Sequence, residues 1–226
     1  MIQPYLDRLP LIAILRGITP DEVVDVGGVL VAAGFAIIEI PLNSPSPCES
    51  IRLLQDAFGT TTLIGAGTVM NAGDVARVVD AGGRLIVMPH SDPTVMRAAK
   101  ERGMLCVPGV VTPTEGFAAL ANGADGLKLF PAELVSTSVV KAMRSVFPAD
   151  ARLFPVGGIT ADAMEPYVRA GATGFGLGSA LYKRGDTATV VAEHAAAFVF
   201  AWHRAARGLP IGQVMRPLPR LKGNTQ

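Results

Sequence analysis

Two charged residues interrupt runs that are otherwise apolar. Lys128 lies in Gly126-Leu127-Lys128-Leu129-Phe130-Pro131, and Glu39 lies in Ala36-Ile37-Ile38-Glu39-Ile40-Pro41-Leu42. Side chains alternate across a strand, so Lys128 and Phe130 share the face opposite Leu127 and Leu129. Glu39 is set opposite Ile38 and Ile40 in the same way. A buried ammonium is costly, and a depressed pKa is the cheaper outcome. An ordinary lysine, with a pKa of about 10.4, is only about 0.04% neutral at pH 7. Lowering that pKa to roughly 7–8 supplies a free amine able to attack a ketone. A carboxyl group among isoleucines needs a partner or a raised pKa, and either suits proton transfer. Each residue also has a plainer explanation. Lys128 could snorkel to a strand end as a simple anion contact, and Glu39 could form an ion pair with Arg16 or Lys128. Taken together, an inward amine and an inward carboxylate form the minimal set for Schiff-base chemistry.

The glycines suggest an anion. Gly157–Gly158 precedes Ile159-Thr160-Ala161-Asp162, which reads as a helix start, and Gly176-Leu177-Gly178-Ser179 precedes Ala180-Leu181. Backbone N–H groups at such turns bind phosphate without a basic side chain. Each pair alone is explained by a tight turn, but their joint position after the last two apolar runs favours a phosphate. Polar residues also close other runs, with Arg16 at the end of the first and Thr68 late in the third. Other chemistries fare worse. His90, His194 and His203 are too scattered for a metal triad or a Ser–His–Asp set. Gly65-Ala66-Gly67-Thr68 lacks the third glycine and the acidic residue of a dinucleotide site, which argues against a nicotinamide cofactor. Cys48 and Cys106 make no ligand pattern and read as reduced, buried thiols.

Strands must position these groups. Apolar runs at Leu11–Arg16, Ala36–Leu42, Thr62–Val69, Leu85–Pro89, Leu105–Val110, Gly126–Phe130, Arg152–Gly157 and Gly174–Gly178 read as buried parallel strands. Between them, segments such as Pro20–Ala33, Ala72–Ala81, Pro93–Arg102 and Ser136–Phe147 carry charges at helical spacing. Gly34, Gly82, Gly103, Gly123 and Gly171 fall where helices should stop. Eight strand–helix units predict a single-domain α/β fold, the (β/α)₈ TIM barrel, with an open doubly wound sheet as the alternative. The barrel domain is expected over residues 1–206. Residues 207–226, with Pro, Gly and basic residues but no acids beyond Gly208, are expected to form a loosely ordered tail. The catalytic groups of such barrels sit at the C-terminal strand ends, where Arg16, Glu39, Thr68, Lys128 and both glycine pairs fall. A net charge of +1 offers no field to select nucleic acid or an acidic membrane. With no apparent signal peptide or membrane-length apolar stretch, a soluble cytoplasmic protein is expected.

Six segments, in order and without a large gap, carry a resemblance. Ala13–Gly17, Glu39–Pro45, Gly65–Val69, Lys128–Ala132, Val156–Thr160 and Gly178–Ser179 resemble the 2-keto-3-deoxy-6-phosphogluconate/6-phosphogalactonate aldolases over roughly residues 8–206. The resemblance implies a (β/α)₈ barrel, a homotrimer, no metal and no cofactor. It implies Lys128 as the Schiff-base lysine and Glu39 as general acid/base. It further implies substrate contacts from Arg16 and Thr68 at the acid end, from Phe130 and Val156, and from a phosphate cradle of Gly157, Gly158, Gly178 and Ser179. The gluconate branch often has threonine before the double glycine and arginine after the glutamate strand. Val156 and Asn43 stand there instead, so the chain resembles the galactonate branch. The expected reaction is cleavage of a phosphorylated keto acid to pyruvate and glyceraldehyde 3-phosphate. The alternatives are the gluconate epimer as substrate, a sugar-phosphate isomerase or epimerase, and a sugar-phosphate-binding protein without chemistry.

Overall fold

Each of the eight apolar runs contains a strand. The computed structural model describes residues 1–207. Its strands are β1 Leu11–Ile14, β2 Ile37–Pro41, β3 Leu63–Gly67, β4 Leu85–Val87, β5 Leu105–Val107, β6 Gly109–Val110, β7 Leu127–Leu129, β8 Leu153–Pro155 and β9 Phe175–Leu177. All pair in parallel, in the orders β5-β4-β3-β2-β1-β9 and β6-β7-β8. Among the described residues, nine strands thus stand where eight were expected, in two sheets and not one. The fifth run is divided at Pro108, which has no N–H to give to a ladder. The first half of that run pairs with β4 and the second with β7. The Pro108 carbonyl still accepts a 2.9 Å bond from the Lys128 N–H. At the other seam, β8 and β9 are joined by the isolated parallel bridge Val156↔Gly176. Packing reinforces that seam, because a Cβ on Gly176 would lie 2.7 Å from Val156 Cγ2 and 3.3 Å from Ile14 Cδ1.

The helices are α1 Gln3–Leu6, α2 Pro20–Ala32, α3 Pro47–Phe58, α4 Ala72–Asp80, α5 Pro93–Glu101, α6 Pro113–Ala121, α7 Thr137–Val146, α8 Met164–Ala170 and α9 Ala188–Ala206. Proline opens α2, α3, α5 and α6, where its missing N–H costs nothing. Side chains of Asn71, Asp92, Thr112, Ser136 and Thr187 accept backbone N–H bonds at helix starts. The five glycines expected as stops all adopt left-handed backbone, with φ between +69° and +103°.

Two apolar clusters divide the strand faces. Ile38, Ile40, Leu127 and Leu129 join helix residues such as Val23, Leu54 and Val140 in the outer cluster. Ile12, Ile37, Leu63, Leu85, Val107 and Phe154 form an inner cluster with Ile2 and Leu6. Glu39 therefore continues the inner row of Ile37, and Lys128 faces inward at the level of Phe154, its register partner. The short helix α1, not among the expected elements, covers the inner cluster where the strands begin. Arg152 pins it through Nε and Nη2, which donate to Gln3 Oε1 at 3.1 and 3.0 Å. Burying each large aliphatic side chain contributes about 1.5–3 kcal/mol, so this end is filled by the core and the polar groups gather at the other. Beyond Arg207, the expected tail lies outside the described residues. Among those residues, no helix is long and apolar enough to cross a membrane.

Candidate active site

Lys128 sits at the centre of β7, between Gly109 of β6 and Phe154 of β8. Glu39 sits in β2, between Ile14 of β1 and Gly65 of β3. They are 5% and 1% exposed, and among the described residues no other charged side chain is so buried. The ion pair that would explain Glu39 structurally is not made: neither residue has an oppositely charged atom within 4.0 Å among the described residues. Glu39 Oε2 has no hydrogen-bond partner among the described residues. Its carboxyl group occupies space left by Gly67, because a Cβ at that glycine would run into it.

Burial governs both proton affinities. It raises the Glu39 pKa to about 7, against the opposing pull of the Lys128 and Arg16 charges. It also lowers the Lys128 pKa from the usual amine range. Glu39 resists that change and Arg16 adds to it. The result is a carboxyl group that exchanges protons near neutrality, beside an amine that holds its proton less tightly than usual. The Phe130 ring lies along the amine, with its centroid 4.5 Å from Lys128 Nζ.

Arg16 follows β1 and is held from two sides. Its Nη1 donates to Asn43 Oδ1 at 2.6 Å and its Nη2 to Thr68 Oγ1 at 3.3 Å. Thr68 makes that contact from left-handed backbone, φ +56°, a conformation uncommon for a β-branched residue.

A cavity of about 360 Å³ collects Arg16, Lys128, Phe130, Val156, Gly157–Gly158 and Gly178–Ser179 on one wall system at the strand ends. Glu39 and Thr68 are not on its wall. Glu39 acts on it through the charges of Lys128 and Arg16, and Thr68 through its bond to Arg16. Gly157 and Gly158 adopt φ +110° and +61°, backbone that strains any other L-residue. The Glu133 carboxylate packs over them, 2.6 and 2.9 Å from where their Cβ atoms would stand. Gly178 has open space on its side-chain position, and its carbonyl accepts from Leu181 N–H and Tyr182 N–H, which turns the loop at once.

Tyr182, Lys183 and Arg184 also line the cavity and were not expected from the sequence. Tyr182 donates to Glu22 Oε1 at 3.1 Å, tying this loop to the start of α2. Burial, followed by the Glu22 charge, pushes its phenol pKa upward. The available signal for Lys183–Arg184 was a basic pair soon after Gly178–Ser179. His90 follows β4, but it does not reach the cavity wall. Among the described residues, no group of three His, Cys, Asp or Glu side chains is placed to hold a metal.

Residues 2–193 match the aldolase family described as KDPG and KHG aldolase. A probable 2-dehydro-3-deoxy-6-phosphogalactonate aldolase of Rhizobium meliloti is 47% identical over 199 residues, covering 88% of this chain and 93% of the relative. The 2-dehydro-3-deoxy-6-phosphogalactonate aldolase of Escherichia coli is 45% identical over 200 residues, covering 88% and 98%. A solved structure described as native KDPGal superposes with a TM-score of 0.87 at 45% identity, covering 88% of this chain and 97% of its own. Family model, relatives and superposed structure agree: the chain belongs to the KDPG and KHG aldolase family.

Proposed function

We propose that the chain is a class I aldolase, a carbon–carbon lyase that cleaves 2-dehydro-3-deoxy-6-phosphogalactonate to pyruvate and D-glyceraldehyde 3-phosphate. One observation carries this reading: two buried charges, Lys128 and Glu39, share one strand-end site without neutralising each other in an ion pair. The substrate follows the names of the relatives that are 45–47% identical.

The neutral Lys128 amine attacks the C2 ketone, and loss of water leaves a protonated imine. Arg16, oriented by Thr68, holds the substrate carboxylate. Glu39, directly or through a water, takes the proton of the C4 hydroxyl. The C3–C4 bond then breaks, its electron pair flows into the iminium, and the triose phosphate leaves from an enamine. Protonation of C3 restores the iminium, and hydrolysis releases pyruvate and the amine. Phe130 flanks the amine throughout. The phosphate rests on the backbone of Gly157, Gly158, Gly178 and Ser179. Val156 faces C4 and offers no hydrogen bond, so discrimination between C4 epimers is modest and the gluconate epimer is a slower substrate.

The same reading treats the two sheets as one (β/α)₈ barrel built by residues 1–206, with Leu105–Val110 counted as a single strand and the Val156–Gly176 bridge closing the ring. It also includes a homotrimeric, cytoplasmic enzyme that uses no cofactor.

Borohydride added with pyruvate should leave a reduced adduct on the Lys128 peptide, detected by mass spectrometry. Unmodified protein would end the Schiff-base reading. Pyruvate release from each C4 epimer, coupled to a reductase, should give the higher kcat/KM with the galactonate compound. The opposite order would reassign the substrate.

A further inference from the structure

An arginine on a strand-end loop must give up rotamer freedom before it can present a fixed face to a ligand. Arg16 is exposed, and so is Asn43, which holds it. The 2.6 Å bond to Asn43 Oδ1 is the shorter of its two side-chain contacts. The loop carrying Asn43 is itself anchored, since Gly17 N–H donates to Ser44 Oγ at 2.9 Å and Ser44 is 7% exposed. Ser44 N–H in turn donates to the Pro41 carbonyl at the end of β2. Two neighbouring bonds, Arg16 to Asn43 and Gly17 to Ser44, therefore lock the loop after β1 onto the loop after β2.

The chemistry of the acceptor matters. An amide oxygen fixes a guanidinium without cancelling its charge, whereas a carboxylate in the same place would form a charge-neutralising pair. Among the described residues, Asn43 and Thr68 take two of the five guanidinium N–H groups, which leaves the others for an anion in the cavity that Arg16 lines.

We infer that Asn43 is a positioning residue, holding the Arg16 guanidinium at the cavity wall with its charge intact and so setting the affinity for the carboxylate of the keto acid. This inference rests on the Schiff-base reading above. It carries a second consequence for the carboxyl group of β2. The charged groups acting on Glu39 are Lys128 from β7 and Arg16 from the loop after β1. On the β3 side its neighbours are Gly65 and Gly67, which carry no charge. A guanidinium released from Asn43 would hold Glu39 ionised less well.

The test is borohydride trapping by pyruvate, titrated on the wild type, Asn43→Ala, Asn43→Asp, Arg16→Ala and the Asn43→Ala/Arg16→Ala double variant. Asn43→Ala should raise the half-saturating pyruvate concentration about tenfold, the scale of one hydrogen bond to a charged group, with the same adduct yield at saturation. Asn43→Asp should raise it too, by cancelling the charge while keeping the bond. Arg16→Ala should raise it at least as far, and the double variant should match Arg16→Ala alone. The acid limb of the cleavage rate should move to higher pH in Asn43→Ala, a change that general loosening of a surface loop would not produce. Wild-type half-saturation in Asn43→Ala, or effects that multiply in the double variant, would overturn the inference and leave the Schiff-base reading standing. No adduct on the wild type would overturn both.

Discussion

Around β2 and β7 the cavity is governed by two side chains at 1% and 5% exposure, whereas behind β8 and β9 it is walled by glycine backbone, with exposed Lys183 and Arg184 alongside. The first region withdraws charge from water, and its proton affinities move: Glu39 rises to about 7 and Lys128 falls. The second leaves charge in water, where single contacts are weak and salt screens them. Bond cleavage needs the first arrangement, because an amine that stays protonated is no nucleophile. Holding a phosphate needs only donors in the right places. Tuning a group and gripping one are separate tasks, and the proposed function sets them at different strand ends.

The contrast can be broken most severely at Lys128. Lys128→Met should abolish the pyruvate adduct and lower cleavage by roughly 10⁴-fold or more, with an unchanged circular dichroism spectrum. Covalent labelling of that variant would move the nucleophile elsewhere. Next comes the energetic cost of burying Glu39. Its carboxyl group binds a proton more tightly when folded, at about 7, than an ordinary glutamate at 4.5. Its stabilising contribution is thus fully present below pH 4.5 and is lost as pH rises through 7. Urea unfolding should show about 3 kcal/mol of stability disappearing across that window, and Glu39→Gln should flatten the profile. A wild-type profile already flat would remove the burial argument.

A subtler disturbance leaves both catalytic candidates in the chain. Gly67→Ala should displace the Glu39 carboxyl group and lower kcat about 100-fold, the scale of a misplacement near 1 Å. Pyruvate trapping on Lys128 should persist. The smallest effect belongs to the solvent side. Lys183→Ala combined with Arg184→Ala should raise KM for the phosphorylated substrate about threefold to tenfold at low salt and less at high salt, with kcat within about twofold. A salt-independent change would count against an electrostatic contribution from this exposed pair.

Much of the tuned region was legible because burial writes a periodic signal. Leu127 and Leu129 flank Lys128, and Ile38 and Ile40 flank Glu39, so alternation alone sets both charges inward. The glycine stops were legible for a steric reason, since left-handed backbone selects glycine. The gripping region was only half visible. Lys183 and Arg184 look like ordinary loop charges, because exposure imposes no period on a sequence. Asn43 was visible as a difference from the gluconate branch, but not as the partner of Arg16, since that bond spans 27 residues. The break at Pro108 was hidden by its apolar neighbours, which keep the run continuous in hydrophobicity while the missing N–H divides the ladder. The short helix α1 escaped notice because four residues are too few to show a helical repeat.

Val156 belongs to two economies at once. It lines the cavity, and its methyl groups fill the space beside Gly176 at the bridge that links the two sheets. A residue chosen there for what it offers a sugar hydroxyl is simultaneously a wedge in the joint between the two glycine turns. If Val156 sets selectivity as proposed, that selectivity cannot be rewritten without also resetting how stiffly the two glycine turns are clamped together.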